Sequence, residues 1–404
     1  MEKLILEGRL DEARQILAQV KGLTPDPVQE QFLAGQIAGL EKRYHDAIDI
    51  YRDILSRHPK LTRVRLELAR ALFEAGEDAS ARHHFELVLG EKLPPAVEQN
   101  VNRFLYEIRK RKRWQVRAYF AIAPDSNITA ATDQDTVYIY GLPFDLSEDA
   151  RETSGLGIIG STGFDYFWPL SDQLKLKSGF DIYHTQYSKS QFNDTFLSGN
   201  IGPRFVFEKT ALTPQFLGYY RWYGGEAYNH AYGGQLLAEH VLSSRWRLDG
   251  TLSWQQLEYD RDVRRNGHLA SITTRVSYSL TSSSLLQFLV GGTWEETRAE
   301  DLDNLSMRLG VGYYKDFGRG VTLLIRPEVL LRYYDAVENG FAVETDGEDR
   351  KDTRYSLSVD LTKRDWSIWG FAPVFGYSYT NNRSNVGFYS YERHRFQLGL
   401  TRTF

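Results

Sequence analysis

Leu305-Ser306-Met307-Arg308-Leu309-Gly310-Val311-Gly312-Tyr313-Tyr314 reads in steps of two. Leu305, Met307, Leu309, Val311 and Tyr313 share one face; Ser306, Arg308, Gly310 and Gly312 share the other. Successive side chains point to opposite faces in an extended chain, so this period specifies a β-strand whose two faces meet different surroundings. The pattern returns upstream and downstream. Ile272, Thr274, Val276, Tyr278 and Leu280 alternate with Ser271, Thr273, Arg275, Ser277 and Ser279, and Tyr355, Leu357, Val359 and Leu361 alternate with Ser356, Ser358, Asp360 and Thr362.

Soluble sandwiches also alternate, so strand length and connections decide. Between Trp114 and Phe404 the strands run to roughly 10–14 residues, where strands of soluble proteins are usually about 5–6. Short turns recur at 169–173, 208–212, 242–245, 280–284, 316–320 and 362–366, and longer polar connections lie at 123–152, 188–194, 224–229, 260–267, 296–303, 335–351 and 381–387. Six turns and seven loops join fourteen strands, an even number that returns both ends of a barrel to the side of the short turns, which is the periplasm in outer-membrane barrels. Trp168, Tyr219, Tyr220, Trp222, Trp294, Tyr333 and Tyr334 fall near strand ends, either as interfacial anchors or as ordinary strand aromatics.

The first hundred residues follow another period. Ala13, Ala47 and Ala81 are spaced 34 residues apart, as are Leu17, Tyr51 and Phe85. Gly8 and Gly76 lie two periods apart, with Lys42 between them. This resembles the tetratricopeptide repeat, a helix–turn–helix unit in which small residues let paired helices approach. The second repeat spans about 28–61 and the third about 62–95, followed by a capping helix over about 95–111. The first starts near its inter-helix turn, and the expectation is that the natural chain carries more repeat, and a leader, before residue 1. Gln29, Gln36, Arg63, Arg70 and Glu74 fall where such repeats face their concave groove, placed to grip an extended peptide or simply solvated. The fold class is therefore α+β multi-domain: an all-α repeat domain over 1–112 and a 14-stranded antiparallel transmembrane β-barrel over 113–404.

Composition removes other classes. No apolar run approaches the ~20 residues of a helical membrane span. With 49 basic and 53 acidic residues, the net charge of −4 gives no ground for nucleic-acid binding. The basic run 109–113 lacks a helix–turn–helix or stacking platform and reads as a solvated hinge or a contact with anionic head groups. Zero cysteines exclude disulfides, thiolate metal sites and a cysteine nucleophile. His184, His230, His240 and His268 sit in no metal-ligand spacing and no G-x-S-x-G motif is present, so neither catalysis nor a metal is expected. The acidic loop of Glu338, Glu344, Asp346, Glu348 and Asp349 lacks the EF-hand pattern and reads as a solvated surface.

The chain ends in an alternating strand whose Gln397, Gly399 and Phe404 resemble the C-terminal signal that the barrel assembly machinery recognises, with Arg402 standing where an aromatic is expected. After the first strand, Ala123-Pro124-Asp125-Ser126-Asn127-Ile128-Thr129 resembles the segment found there in the surface lipoprotein assembly modulators, the Slam proteins, and the pairing of repeats with a barrel extends the likeness over nearly the whole chain. That resemblance implies an outer-membrane translocator, its N-terminal domain in the periplasm, that helps particular lipoproteins or soluble haem- and metal-scavenging proteins reach the cell surface. Its partners would be a secreted or lipoprotein passenger, outer-membrane lipid, the barrel assembly machinery and a periplasmic chaperone; no cofactor is implied. The passenger would travel through the lumen or along an opened seam between first and last strands. Pro124, Asp125, Ser126 and Asn127 would lie near the lumen or first loop and hold a turn through short side-chain to backbone hydrogen bonds. The alternative is an exopolysaccharide export porin, also built from periplasmic repeats and a barrel.

Overall fold

A computed structural model of the chain describes residues 2–20, 26–366 and 368–403. Helices α1 (Glu2–Leu6), α2 (Leu10–Val20), α3 (Pro27–Leu40), α4 (Tyr44–Arg57), α5 (Thr62–Glu74), α6 (Asp78–Val88) and α7 (Pro95–Arg111) stack in antiparallel pairs. Helix α3 starts where the sequence supplies both signals: Pro27 at a position whose N–H has no helical partner, and Asp26, whose carboxylate accepts from the Val28 and Gln29 N–H groups at 3.0 and 3.1 Å. The 34-residue period is a packing period. Ala13, Ala47 and Ala81 are fully buried, and Tyr51 and Phe85 fill the space between helix pairs. The turn position repeats too: Gly8, Lys42 and Gly76 have φ of +74°, +61° and +84°. Glycine suits that left-handed conformation, while Lys42 adopts it against steric resistance.

The rest of the chain forms β1 (Trp114–Asp125), β2 (Thr136–Ile139), β3 (Leu142–Asp145), β4 (Gly155–Pro169), β5 (Leu174–Tyr187), β6 (Asp194–Val206), β7 (Thr210–Tyr223), β8 (Glu226–Val241), β9 (Trp246–Tyr259), β10 (Gly267–Thr281), β11 (Ser284–Thr297), β12 (Asn304–Asp316), β13 (Val321–Tyr334), β14 (Lys351–Lys363), β15 (Ala372–Ser384) and β16 (Tyr391–Thr403). Fourteen of these close an antiparallel barrel, β1 pairing with both β4 and β16; β2 and β3 make a separate hairpin inside the first long connection. Phe120, Ile122, Trp254, Leu309, Val311 and Leu398 stand exposed on the outer surface. An apolar band around a closed barrel is the surface that lipid requires, since closure leaves no strand edge unpaired.

Two connections differ from the sequence expectation. The loop expected over 224–229 is a two-residue turn, Gly224-Gly225, with φ of +62° and +83°, and β8 starts at Glu226. Two successive positive φ values make the tight hairpin turn that matches strand twist. The strand expected directly after the turn over 362–366 starts only at Ala372. Of the expected anchors, Tyr219 and Tyr334 point inward: Tyr219 lines an interior cavity, and the Arg350 guanidinium lies 4.5 Å from the Tyr334 ring centre. Residues 219 and 220, like 333 and 334, are strand neighbours and cannot share a face.

Candidate functional site

Any barrel has one join between its first and last strands, and here its ladder is interrupted, as are those of β6–β7 and β12–β13. Strand β1 pairs with β4 without a break from Trp114 to Asp125. Its ladder to β16 runs from Arg117↔Thr403 to Ile122↔Leu398, skips two positions, and resumes at Asp125↔Arg395. The cause is a residue. Ser126 donates its N–H to the His394 carbonyl at 2.9 Å, so by strand alternation residue 124 aims its nitrogen at β16 as well. That residue is Pro124, which has no N–H to give.

Above the gap, side chains reinforce the resumed ladder. Asp125, 4% exposed, receives the Nε of Arg393 on both carboxylate oxygens at 2.9 and 3.1 Å, and Nη2 on one of them. The Ser126 Oγ accepts the His394 N–H at 2.9 Å. Asn127, fully buried, donates through Nδ2 to the Glu392 carbonyl at 3.0 Å and to the Ala131 carbonyl at 2.8 Å, while its Oδ1 accepts from the Ala131 N–H and the Thr129 hydroxyl. Asp125 also accepts the Asn127 N–H at 3.1 Å. The Asp125 and Asn127 side chains thus accept the N–H groups of residues 127 and 131, and together with Ser126 they fasten β1 to β16. Sequence reasoning did not identify Arg393 and His394. Alternation puts Arg393 on the inward face, but its partner lies 268 residues away and emerges only when the barrel closes.

Below the gap the join is tight and mostly small. Ala121 is fully buried opposite Gly399, and a Cβ added at Gly399 would collide with the Phe120 carbonyl oxygen and stand 2.7 Å from the Ala121 Cβ. Gln397 accepts the Tyr119 hydroxyl at 2.6 Å. Gln397 and Gly399 thus hold the join on the inward face; Phe404 lies outside the described residues.

The lumen near the short-turn end is crowded with paired charge. Arg117 bridges Asp165 and Asp181 at 2.5 and 2.7 Å, Lys177 reaches Asp165 at 3.3 Å, and Arg204 pairs with Glu239 at 2.9 Å. Beneath it the helical domain lies across the rim. Lys110 pairs with Asp172 at 3.4 Å, Arg109 donates to the Glu208 carbonyl, Glu86 pairs with Arg247, Glu91 accepts the Ser282 N–H at 2.9 Å, and the buried Arg65 meets Asp316 at 3.3 Å. Arg247 and Arg82 hold the Glu86 carboxyl down to about 2. His83 and His84, packed between α6 and the rim, are pushed well below the usual imidazole range by burial and by nearby Arg65 and Arg364. Arg65 donates to His84 Nδ1 at 3.2 Å, which fixes that nitrogen as an acceptor.

The five groove residues collect on α3 and α5. Arg63 sits 4.8 Å from the Phe32 ring centre, Gln29 and Gln36 are half-buried, and Arg70 and Glu74 are exposed. Glu67, not singled out from sequence, joins them, its carboxyl raised by burial.

The profile of the family described as "Surface lipoprotein assembly modifier" matches residues 114–404, and that of its "N-terminal TPR repeats" matches residues 1–85. "Surface lipoprotein assembly modifier 1" of Neisseria meningitidis is 26% identical over 94% of this chain and 76% of its own length. The protein of the same name in Haemophilus influenzae is 23% identical over 94% and 79%. "Hemophilin secretion modulator" of Acinetobacter baumannii is 21% identical over 94% and 79%. The closed barrel lies in the bacterial outer membrane and the repeats lie on its periplasmic side. The chain belongs to the surface lipoprotein assembly modifier family.

Proposed function

We propose that this protein carries particular lipoproteins, or soluble haem- and metal-scavenging proteins, across the outer membrane to the cell surface, and that the β1–β16 join is the part that yields. The names of its relatives support the first half of that reading. The join supports the second: a ladder broken at Pro124, with its extracellular end held by side chains. A side-chain clasp can be released without unfolding the barrel. Strand edges exposed by that release template pairing with an extended chain. No nucleotide is available outside the inner membrane, so passenger folding at the surface supplies the drive. In this reading the groove of Gln29, Gln36, Arg63, Arg70 and Glu74 holds the passenger, or a chaperone delivering it, below the rim. Gln397, Gly399 and Phe404 serve the barrel assembly machinery before they serve the finished join.

The test is protease accessibility, on intact Gram-negative cells, of a candidate passenger encoded beside this gene, with and without the barrel. Exposure that requires the barrel, and fails when 1–112 are deleted, is the expected result. Unchanged exposure for every neighbour, with the barrel correctly inserted, overturns the reading and moves the assay to polysaccharide export.

A further inference from the structure

We infer that the cavity beside the clasp is a receptor for a carboxylate carried on an extended polypeptide, and that filling it unfastens the join. This rests on the translocator reading above. The cavity, about 350 Å³, lies beneath residues 128–130 and is walled by Tyr183, Tyr187, Tyr228, Arg221, Arg393 and Arg395. A second space, lined by Tyr219 and Asn229, shares its Tyr183, Asp194 and Arg221 wall.

The charges on this wall do not balance. Arg221 is forked onto Asp194, with both contacts at 2.9 Å, and Arg393 is forked onto Asp125. Arg395 stands directly opposite Asp125 in the ladder, yet Asp125 is taken by Arg393. Among the described residues no carboxylate lies within ion-pair distance of Arg395, and its Nε is buried without an acceptor. A guanidinium presents five donors in a planar fork, and a buried donor left unmade is costly, so the site is complementary to a planar anion. The tyrosines set the rest of the specificity: rigid, amphipathic rings with hydroxyls suit a peptide backbone better than a bare ion.

The clasp makes occupation consequential. The Tyr187 hydroxyl lies 3.4 Å from both Asp125 Oδ2 and Arg393 Nη2, so a carboxylate seated on Arg395 arrives beside the Asp125–Arg393 pair and competes for Arg393. Once Arg393 turns to the newcomer, the extracellular end of a ladder already broken at Pro124 is left to the Asp125–Arg395 ladder pair and the bonds of Ser126 and Asn127.

The experiment uses the full chain in lipid nanodiscs and two acetylated, amidated peptides, one of alternating threonine and glutamate, the other with glutamine for glutamate. Calorimetry is expected to show the glutamate peptide binding at least tenfold more tightly. Arg395→Gln should erase that preference, and Arg395→Lys, which keeps charge but loses the fork, should retain part of it. Inorganic phosphate should compete only weakly; competition equal to the peptide would mean a plain anion site and overturn the polypeptide assignment. In an Ile122→Cys/Leu398→Cys chain, the glutamate peptide should slow disulfide closure at least threefold. Equal affinity for the two peptides, or a preference that survives both substitutions at Arg395, overturns the proposal. A negative result here beside normal passenger exposure removes the receptor and leaves the translocator standing; lost exposure with intact peptide binding does the reverse.

Discussion

Asp125 carries more of the join than any neighbour, because it is the buried anion on which a guanidinium depends. Asp125→Asn leaves the Arg393 charge without its counterpart inside the lumen wall, a loss of about 2–3 kcal/mol by comparison with other broken buried pairs. The expected readout is a lower denaturant midpoint for the barrel in lipid vesicles, together with faster labelling of Cys introduced at Ile122. A second residue tests the repeat. Lys42 holds a φ of +61° where the flanking repeats place Gly8 and Gly76. Lys42→Gly should raise the stability of the helical domain by about 1 kcal/mol, measured by thermal melting of the full chain followed at helical wavelengths. Individual residues differed in legibility for one reason, the distance to their partners. Ala13, Ala47 and Ala81 were readable because a repeat's contacts are close in sequence. Asp125, Ser126 and Asn127 were readable as a motif, but Arg393 and His394, whose roles exist only after closure, were not.

At the scale of elements, the join should open for transport and stay shut otherwise. The chain has no cysteine of its own, so Ile122→Cys with Leu398→Cys forms one defined cross-link between facing residues. Antiparallel neighbours stand within disulfide reach. The oxidised protein should be inserted but leave its passenger protected inside, and reduction should restore surface exposure; export undiminished by the cross-link would sink the role of the join. Alternation makes the fourteen strands countable from the residues alone, because each strand declares its own two faces. Alternation is silent on what loops do with themselves. It could not show that 224–229 collapses to Gly224-Gly225, nor that the first connection folds its own hairpin from β2 and β3. It could not show that the first and last strands meet across a missing hydrogen bond, since Pro124 reads locally as a strand's end.

At the scale of the molecule, the periplasmic domain is held to the rim by groups whose charge depends on pH. His83 and His84 are buried neutral, facing Arg65, Arg52, Arg364 and Tyr314, and have depressed pKa values. A depressed folded value means that the free domain binds more protons than the docked one. Docking is therefore at full strength above the ordinary imidazole value of about 6.5 and weakens as pH falls below it. Glu86, held at about 2, keeps its contribution above the ordinary carboxylate value of about 4.5 and loses it only toward pH 2. Limited proteolysis of the segment joining α7 to β1 should accelerate between pH 7.5 and 5.5, and replacing both histidines by glutamine should flatten that response. Nothing in α6 announced this contact, because His83 and Glu86 find partners 231 and 161 residues away.

The helices set across the rim, with the paired charges above them, also bear on the cell that carries this barrel. An outer membrane protects by refusing passage to bulky antibiotics, and an unstoppered fourteen-strand pore would be a leak. Here the exporter supplies its own cork, so that loosening Arg65 from Asp316 should be felt first as sensitivity to vancomycin, before any cargo is missed.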